Sequence, residues 1–290
     1  MPFSAPFRRA LVALLTSLML AGCGQAVVNM MAERGPDRTD LRYRSGERGT
    51  YDLYGETSAG AGAPLVIFFY GGSWDSGAKG DYRFVGSALA ERGYLVAIPD
   101  YRLYPAVRYP GFVEDGAEAV AAIAKRHGEG RAVVVAGHSA GAQIGAMIAY
   151  DDRWLRAAGA ERCATVTGFV GLAGPYDFLP LTDATLKLIF APSLREDAQP
   201  ARYGGGADPR SLLIHGDGDT TVHAEDTRIM AAALRQSGSA VETRIYPGVD
   251  HTDLVGALAP VVRDRAPTLA DMGRFIDALP AGPGGTCAGG

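Results

Sequence analysis

Two stretches of this chain are apolar without a break, Val66-Ile67-Phe68-Phe69 and Val133-Val134-Val135-Ala136. Short runs of this kind, rich in β-branched and aromatic residues, read as strands covered on both faces. Similar runs predict strands over Tyr51–Tyr54, Leu65–Tyr70, Tyr94–Pro99, Ala132–Gly137, Val166–Ala173, Ser211–His215 and Val241–Tyr246. Helical patterns fall between them, at Asp81–Arg92, Phe112–Lys125, Ala142–Tyr150, Ala224–Ser237 and Thr268–Ala278. Strands and helices of these lengths in alternation argue for an α/β fold with a mostly parallel central sheet flanked by helices. Residues 175–209 break the alternation and carry one helix-like run, Ala184–Phe190. An insertion there would lie over the carboxyl ends of the strands, where open α/β sheets bind ligands.

The pattern also divides the chain. Residues 1–22 form a processing segment, and residues 23–48, polar and weakly patterned, read as a tether or loose N-terminal flap. Residues 49–280 make one α/β domain, a size at which such folds are commonly undivided. Residues 281–290 are rich in Pro and Gly and read as a flexible tail, unless Cys287 pins it.

Composition removes some classes of function. The chain is 47% hydrophobic and 21% charged, as in a globular domain, and its formal net charge of -4 supplies no basic surface for nucleic acid. No Cys/His cluster has zinc-ligand spacing, and no phosphate- or dinucleotide-binding glycine loop occurs, so neither a metal nor a cofactor is implied. No protein partner is implied either.

The N-terminus carries Arg8 and Arg9 ahead of an apolar stretch, Ala10–Leu20, that is too short for a bilayer span of about 20 residues. A signal peptide fits better. Its end, Leu20-Ala21-Gly22-Cys23, resembles the bacterial lipobox. That resemblance implies cleavage before Cys23, lipidation of its thiol and a membrane-anchored lipoprotein in the bacterial cell envelope. Gly24 in place of an aspartate would favour the outer membrane. An ordinary secretory peptide with an incidental cysteine is the alternative. Export would place the mature chain in an oxidising compartment, where Cys163 and Cys287 allow one internal bridge. Their spacing does not decide whether it forms.

Gly137-His138-Ser139-Ala140-Gly141 is a G-x-S-x-G pentapeptide between a buried strand and an apolar helix, the setting in which this motif marks a nucleophile. The sharp turn strains the serine, the flanking glycines admit neighbouring backbone, and the hydroxyl projects at a helix N-terminus that favours negative charge. Serine is a poor nucleophile at neutral pH and needs a base. Of five histidines, His138 lies in the turn itself and is expected to pack or hydrogen-bond locally. His127 ends a charged helix, His215 reads as a structural strand-end residue, and His223 begins a helix. His251 remains, in a loop just past the last strand, and its late place fits the order serine, acid, histidine. The acid lies in His215-Gly216-Asp217-Gly218-Asp219, where spacing alone does not separate the two aspartates.

These segments, with Tyr70-Gly71-Gly72-Ser73-Trp74, Asp100-Tyr101-Arg102-Leu103 and Gly174-Pro175-Tyr176-Asp177, resemble one branch of the α/β-hydrolase superfamily. That branch comprises bacterial esterases related to hormone-sensitive lipase, kynurenine formamidase and the feruloyl-esterase-like proteins. The likeness spans residues 51 to 255 and implies an α/β-hydrolase fold with a small cap or none. It also implies that the acid is Asp219, four residues after His215 and three before Val222, with Asp217 left in the turn. The family's His-Gly-Gly-x-Trp loop carries over as an oxyanion hole made by the backbone N–H groups of Gly72, Ser73 and Ala140. Tyr70 stands where that loop has histidine, as tyrosine does in cholinesterases. Asp100 and Arg102 are expected to pin a loop near the site, and Asp177 to anchor a turn.

The activity expected from Ser139, Asp219 and His251 is hydrolysis of small carboxylic esters, with short acyl chains favoured because the insertion is too short for an extra helical domain. The apolar run Leu186–Phe190 is the feature able to lengthen an acyl pocket. An amidase, formamidase or peptidase would use the same residues. A non-catalytic tethered binding module is the third alternative, against which the joint presence of serine, aspartate, histidine and glycine loop argues.

Overall fold

The computed structural model describes residues 29, 32, 34–205 and 208–282. Its strands are β1 (Arg38–Arg42), β2 (Thr50–Tyr54), β3 (Leu65–Phe69), β4 (Leu95–Pro99), β5 (Val133–His138), β6 (Gly168–Leu172), β7 (Arg210–Gly216) and β8 (Val241–Tyr246). The helices among the described residues are α1 (Arg83–Glu91), α2 (Gly111–His127), α3 (Ala140–Tyr150), α4 (Asp152–Ala157), α5 (Arg162–Thr165), α6 (Ala184–Ile189), α7 (Ala224–Gln236), α8 (His251–Gly256) and α9 (Thr268–Asp277). The strands form one sheet in the order β1-β2-β4-β3-β5-β6-β7-β8. Pairs β1/β2 and β2/β4 are antiparallel, and every pair from β4 to β8 is parallel. This is the α/β-hydrolase fold.

The unbroken apolar runs follow from this layering. Successive strand residues point to opposite faces. Phe69 packs toward Gly116 and Ile144 on the α2/α3 side, whereas Phe68 meets Tyr82 at the start of α1. Both faces are covered, so β3 has no polar position, and each of its residues is fully buried. The small residues of α3, Ala-Gly-Ala at its start and Gly145 against Phe169, let the helix lie close on β5 and β6.

The segment before residue 49 corrects the expectation of a loose flap. Residues 38–42 form β1, an edge strand, and Arg38-Thr39-Asp40-Leu41-Arg42 is mostly exposed. A one-sided edge strand of polar residues carries no alternation strong enough to read. The residues that follow are pinned: Tyr43 Oη donates to the Asp100 carbonyl at 2.7 Å, and Arg48 Nε to the Tyr101 carbonyl at 2.8 Å. Arg44 pairs with the buried carboxylate of Asp115. Cys163 is disulfide-bonded, while Cys23, Cys287 and the processing segment lie outside the described residues.

The 175–209 insertion follows β6 and holds α6 with two single 3-10 turns. Asp197 ties it down, accepting from Tyr109 at 2.8 Å and Tyr203 at 2.9 Å and pairing with Arg153 at 2.7 Å.

Candidate active site

The candidate residues stand one after another at the carboxyl ends of parallel strands. Tyr70–Trp74 follow β3, Ser139 follows β5, Asp219 follows β7 and His251 follows β8. The registers Phe69↔Gly137, His138↔Leu172 and Gly216↔Tyr246 bring these ends to one rim.

Ser139 turns the chain from β5 into α3 with φ 54° and ψ −125°, a left-handed conformation costly for a residue with a Cβ. Crowding around it demands glycine. A Cβ at Gly137 would come within 2.3 Å of the Gly141 carbonyl oxygen, and one at Gly141 within 2.2 Å of the Phe69 oxygen. The turn is held by Ser139 N–H donating to Leu172 O at 2.9 Å, and by Ala142 and Gln143 N–H donating back to Ser139 O.

The glycine loop after β3 lies directly on this turn, since a Cβ at Gly71 would sit 3.0 Å from that of Ser139. Gly72, Ser73 and Trp74 take positive φ in succession, 132°, 49° and 62°. Tertiary bonds sustain that shape. Trp74 Nε1 donates to Gln143 Oε1 at 3.2 Å, and Gln143 Nε2 donates to Ala198 O in the insertion at 3.0 Å. Tyr70 has its own partners: its hydroxyl donates to Asp100 Oδ1 at 3.0 Å, and its carbonyl accepts from Tyr101 Oη at 2.7 Å. The backbone N–H groups of Gly72, Ser73 and Ala140 donate to no acceptor among the described residues. Ala140 opens α3, so its N–H also lies at the positive end of that helix.

Asp219 is buried at 4% exposure with four donors on its carboxylate. Oδ1 accepts from the N–H groups of Thr221 and Val222 at 2.8 and 2.9 Å. Oδ2 accepts from His251 Nδ1 at 2.6 Å and His215 Nε2 at 3.2 Å. Burial by itself would push this carboxyl up, but the bonds from His215 and His251 and the Val222 N–H hold it well below the usual carboxylate range. Asp217, two residues earlier, is exposed and accepts from Gly248 N–H at 2.6 Å. The structure therefore brings Asp219 to His251 and leaves Asp217 in the turn.

His251 does not sit in a loop, as its surroundings suggest, but opens the short helix α8. Asp250 caps that helix, accepting from Thr252 and Asp253 N–H at 2.9 and 2.7 Å. Six residues are too few for a helical period to show.

Other expectations shift. His215 is more than a strand-end residue: besides Asp219 it meets Thr227 Oγ1 at 2.7 Å and Val222 O at 2.9 Å. Its spacing of four from Asp219 was the only available signal. His127, at the end of the charged helix α2, is bonded to Tyr51 Oη at 2.8 Å. Asp100 and Arg102 each pin the chain here, through separate partners: Arg102 grips Asp115 at 2.7 and 2.9 Å, and Asp100 accepts from Tyr70 and from Lys79 N–H. The anchor of the Tyr176–Asp177 turn is Asp226, whose Oδ1 accepts both N–H groups at 2.9 Å.

Ile189 and Phe190 are fully buried, and Phe190 packs on Trp74 with ring centroids 4.9 Å apart. Phe178 lies 5.2 Å from Phe190 and 5.8 Å from Trp74. The insertion thus builds an aromatic wall behind the glycine loop.

The chain is also similar to known proteins. Residues 51–234 match the model of a protein family described as BD-FAE. A protein of Oryza sativa subsp. japonica named "Probable isoprenylcysteine alpha-carbonyl methylesterase ICMEL1" is 30% identical over 238 residues, 73% of this chain and 56% of its own. The kynurenine formamidase of Danio rerio is 26% identical over 168 residues, 57% of this chain and 55% of its own. The chain spans about half the length of the curated relatives it matches. Esterase B of Lactobacillus rhamnosis shares the fold at 20% identity, with a TM-score of 0.72 over 93% of this chain and 96% of that one.

Proposed function

This chain belongs to the BD-FAE family, and from that premise we propose that it is a carboxylester hydrolase working through an acyl-enzyme on Ser139. The observation that carries the reading is the 2.6 Å bond between His251 Nδ1 and Asp219 Oδ2. An ionised carboxylate only accepts, so Nδ1 holds a proton, and in the neutral imidazole Nε2 then keeps a lone pair for the serine hydroxyl. Ser139 Oγ attacks the ester carbonyl carbon as its proton passes to His251 Nε2. The oxyanion is taken up by the N–H groups of Gly72, Ser73 and Ala140, each worth roughly 3 kcal/mol when fixed in advance. Collapse breaks the C–O bond, and His251 returns the proton to the leaving alcohol. Water then attacks the acyl-serine along the same path and releases the acid.

Ester is preferred to amide because the rice relative's name is that of a methylesterase. The formamidase likeness supports the second reading, the same residues acting on a C–N bond. Short acyl chains are proposed to be favoured, a reading supported by the packing of Phe190 and Phe178 against Trp74 at the end of the glycine loop. The chain is further proposed to be an exported lipoprotein anchored through lipid on Cys23. Mass spectrometry of the mature protein would show a lipidated Cys23 at its N-terminus; an unmodified N-terminus elsewhere removes that proposal.

The central test is labelling with a fluorophosphonate probe. Wild-type protein labels on Ser139 and hydrolyses p-nitrophenyl acetate, and Ser139→Ala loses both while its circular dichroism is unchanged. Hydrolysis by Ser139→Ala near the wild-type rate would sink the reading.

A further inference from the structure

Beneath the site, His138 and Tyr82 have no part in the chemistry so far described, yet both are buried, at 4% and 5% exposure. Gly71 N–H donates to Tyr82 Oη at 3.1 Å, Tyr82 Oη lies 3.0 Å from His138 Nδ1, and His138 Nε2 lies 3.1 Å from the His251 carbonyl oxygen. The direction of each bond follows from chemistry. A carbonyl oxygen only accepts, so His138 Nε2 carries a proton. Burial pushes the His138 imidazole well below its usual range, and the neighbouring His251 adds to this, so the ring is neutral and Nδ1 holds a lone pair. Among the described residues, only the Tyr82 hydroxyl is placed to donate to it. The Tyr82 oxygen in turn accepts the Gly71 N–H. One directed chain therefore runs from the glycine loop, under the serine turn, to the main chain of the base.

We infer that Tyr82 and His138 are a positioning pair that sets the oxyanion loop and His251 relative to one another across the serine turn. The inference rests on the serine-hydrolase reading of the same site. Its geometric basis is that Gly71 immediately precedes the donors Gly72 and Ser73, while the His138 and His251 rings lie 4.7 Å apart. The Tyr82 ring is held independently of its hydroxyl, 5.8 Å from both Phe68 and Phe84 and 6.0 Å from Tyr70. Losing the hydroxyl should therefore leave the packing in place and remove the two bonds. Neither residue is placed against substrate, so ground-state binding should not change. What should change is how well donors and base meet the transition state, and misplacement by an ångström costs about 100-fold.

The test compares wild type with Tyr82→Phe, His138→Leu and His138→Gln, well below their melting temperatures. Two readouts are used: p-nitrophenyl acetate turnover and the rate of fluorophosphonate labelling. Tyr82→Phe and His138→Leu should each lose roughly 10- to 100-fold in kcat and in labelling rate, with KM changed by less than about twofold. His138→Gln, whose amide offers one donor and one acceptor, should recover most of that loss. Tyr82→Phe with wild-type kcat and labelling rate, or a loss confined to KM or melting temperature, would overturn the inference. Wild-type protein that does not label at all removes the serine-hydrolase reading and this inference with it. Equal labelling of wild type and Tyr82→Phe removes the inference alone.

Discussion

His215 places its Nε2–H on Oδ2 of Asp219 at 3.2 Å, the same oxygen that receives His251 Nδ1 at 2.6 Å. The direction is fixed because Nε2 also faces the Val222 carbonyl at 2.9 Å, and both neighbours only accept. With Thr221 and Val222 N–H on Oδ1, the acid is held rigid and ionised while it orients the base.

That arrangement separates the two aspartates of one loop. Asp219→Asn preserves the shape but presents an amide that competes with the correct imidazole tautomer, so kcat should fall by about 10³- to 10⁴-fold. Asp217→Asn touches only the Gly248 turn and should stay within about threefold of wild type. Esterase assays of the two variants side by side check this. Reversed behaviour would transfer the acid role to Asp217.

The depressed Asp219 carboxyl also links stability to pH. Its folded pKa lies below the unfolded value of about 3.9, so the native state binds its proton less readily than the unfolded chain. The resulting stability is present above the unfolded pKa and is lost as pH falls through the folded one. Melting temperature recorded from neutral pH down to about pH 2 should fall more steeply in wild type than in Asp219→Asn. Parallel curves would show that the four donors do not hold the carboxylate ionised.

Gly141→Ala should be the most damaging small substitution at the site. The new Cβ would meet two backbone oxygens, Phe69 O at 2.2 Å and Tyr70 O at 2.3 Å, and neither can move without breaking β3 from the glycine loop. A loss of roughly 3 kcal/mol or more is expected, seen as a large drop in melting temperature or in soluble yield. A variant as stable as wild type would mean that the strand and helix are less tightly apposed.

Phe190→Ala should lengthen the acyl pocket, because Phe190 is the ring packed edge-on against Trp74. Wild-type kcat/KM on p-nitrophenyl esters should peak between acetyl and butyryl. The variant's optimum should move to hexanoyl or octanoyl, each newly buried methylene contributing about 0.8 kcal/mol. The substitution should also cost about 3 kcal/mol of stability from the cavity it leaves. A wild-type profile still rising past octanoyl would show that the aromatic wall does not limit the chain.

Much of this protein is legible in local sequence. The runs Val66–Phe69 and Val133–Ala136 dictate strands buried on both sides, because no polar residue is present to face water. Gly137 and Gly141 around Ser139 dictate a turn too crowded for a side chain. The residues that carry each pattern are contiguous in the chain, although the oxygens that exclude a side chain at Gly141 belong to the distant Phe69 and Tyr70.

What tertiary structure alone decided is which distant groups meet. Asp217 and Asp219 are chemically the same and share one loop, and only the docking of α8 beside β7 selects the one that His251 reaches. Arg102 leaves its neighbour Asp100 for Asp115 on α2, and His215 and His138 join the site through partners 4 to 113 residues away. A hydrogen bond of a few ångströms leaves no periodic trace in the sequence of either partner, because only the fold determines the distance between them.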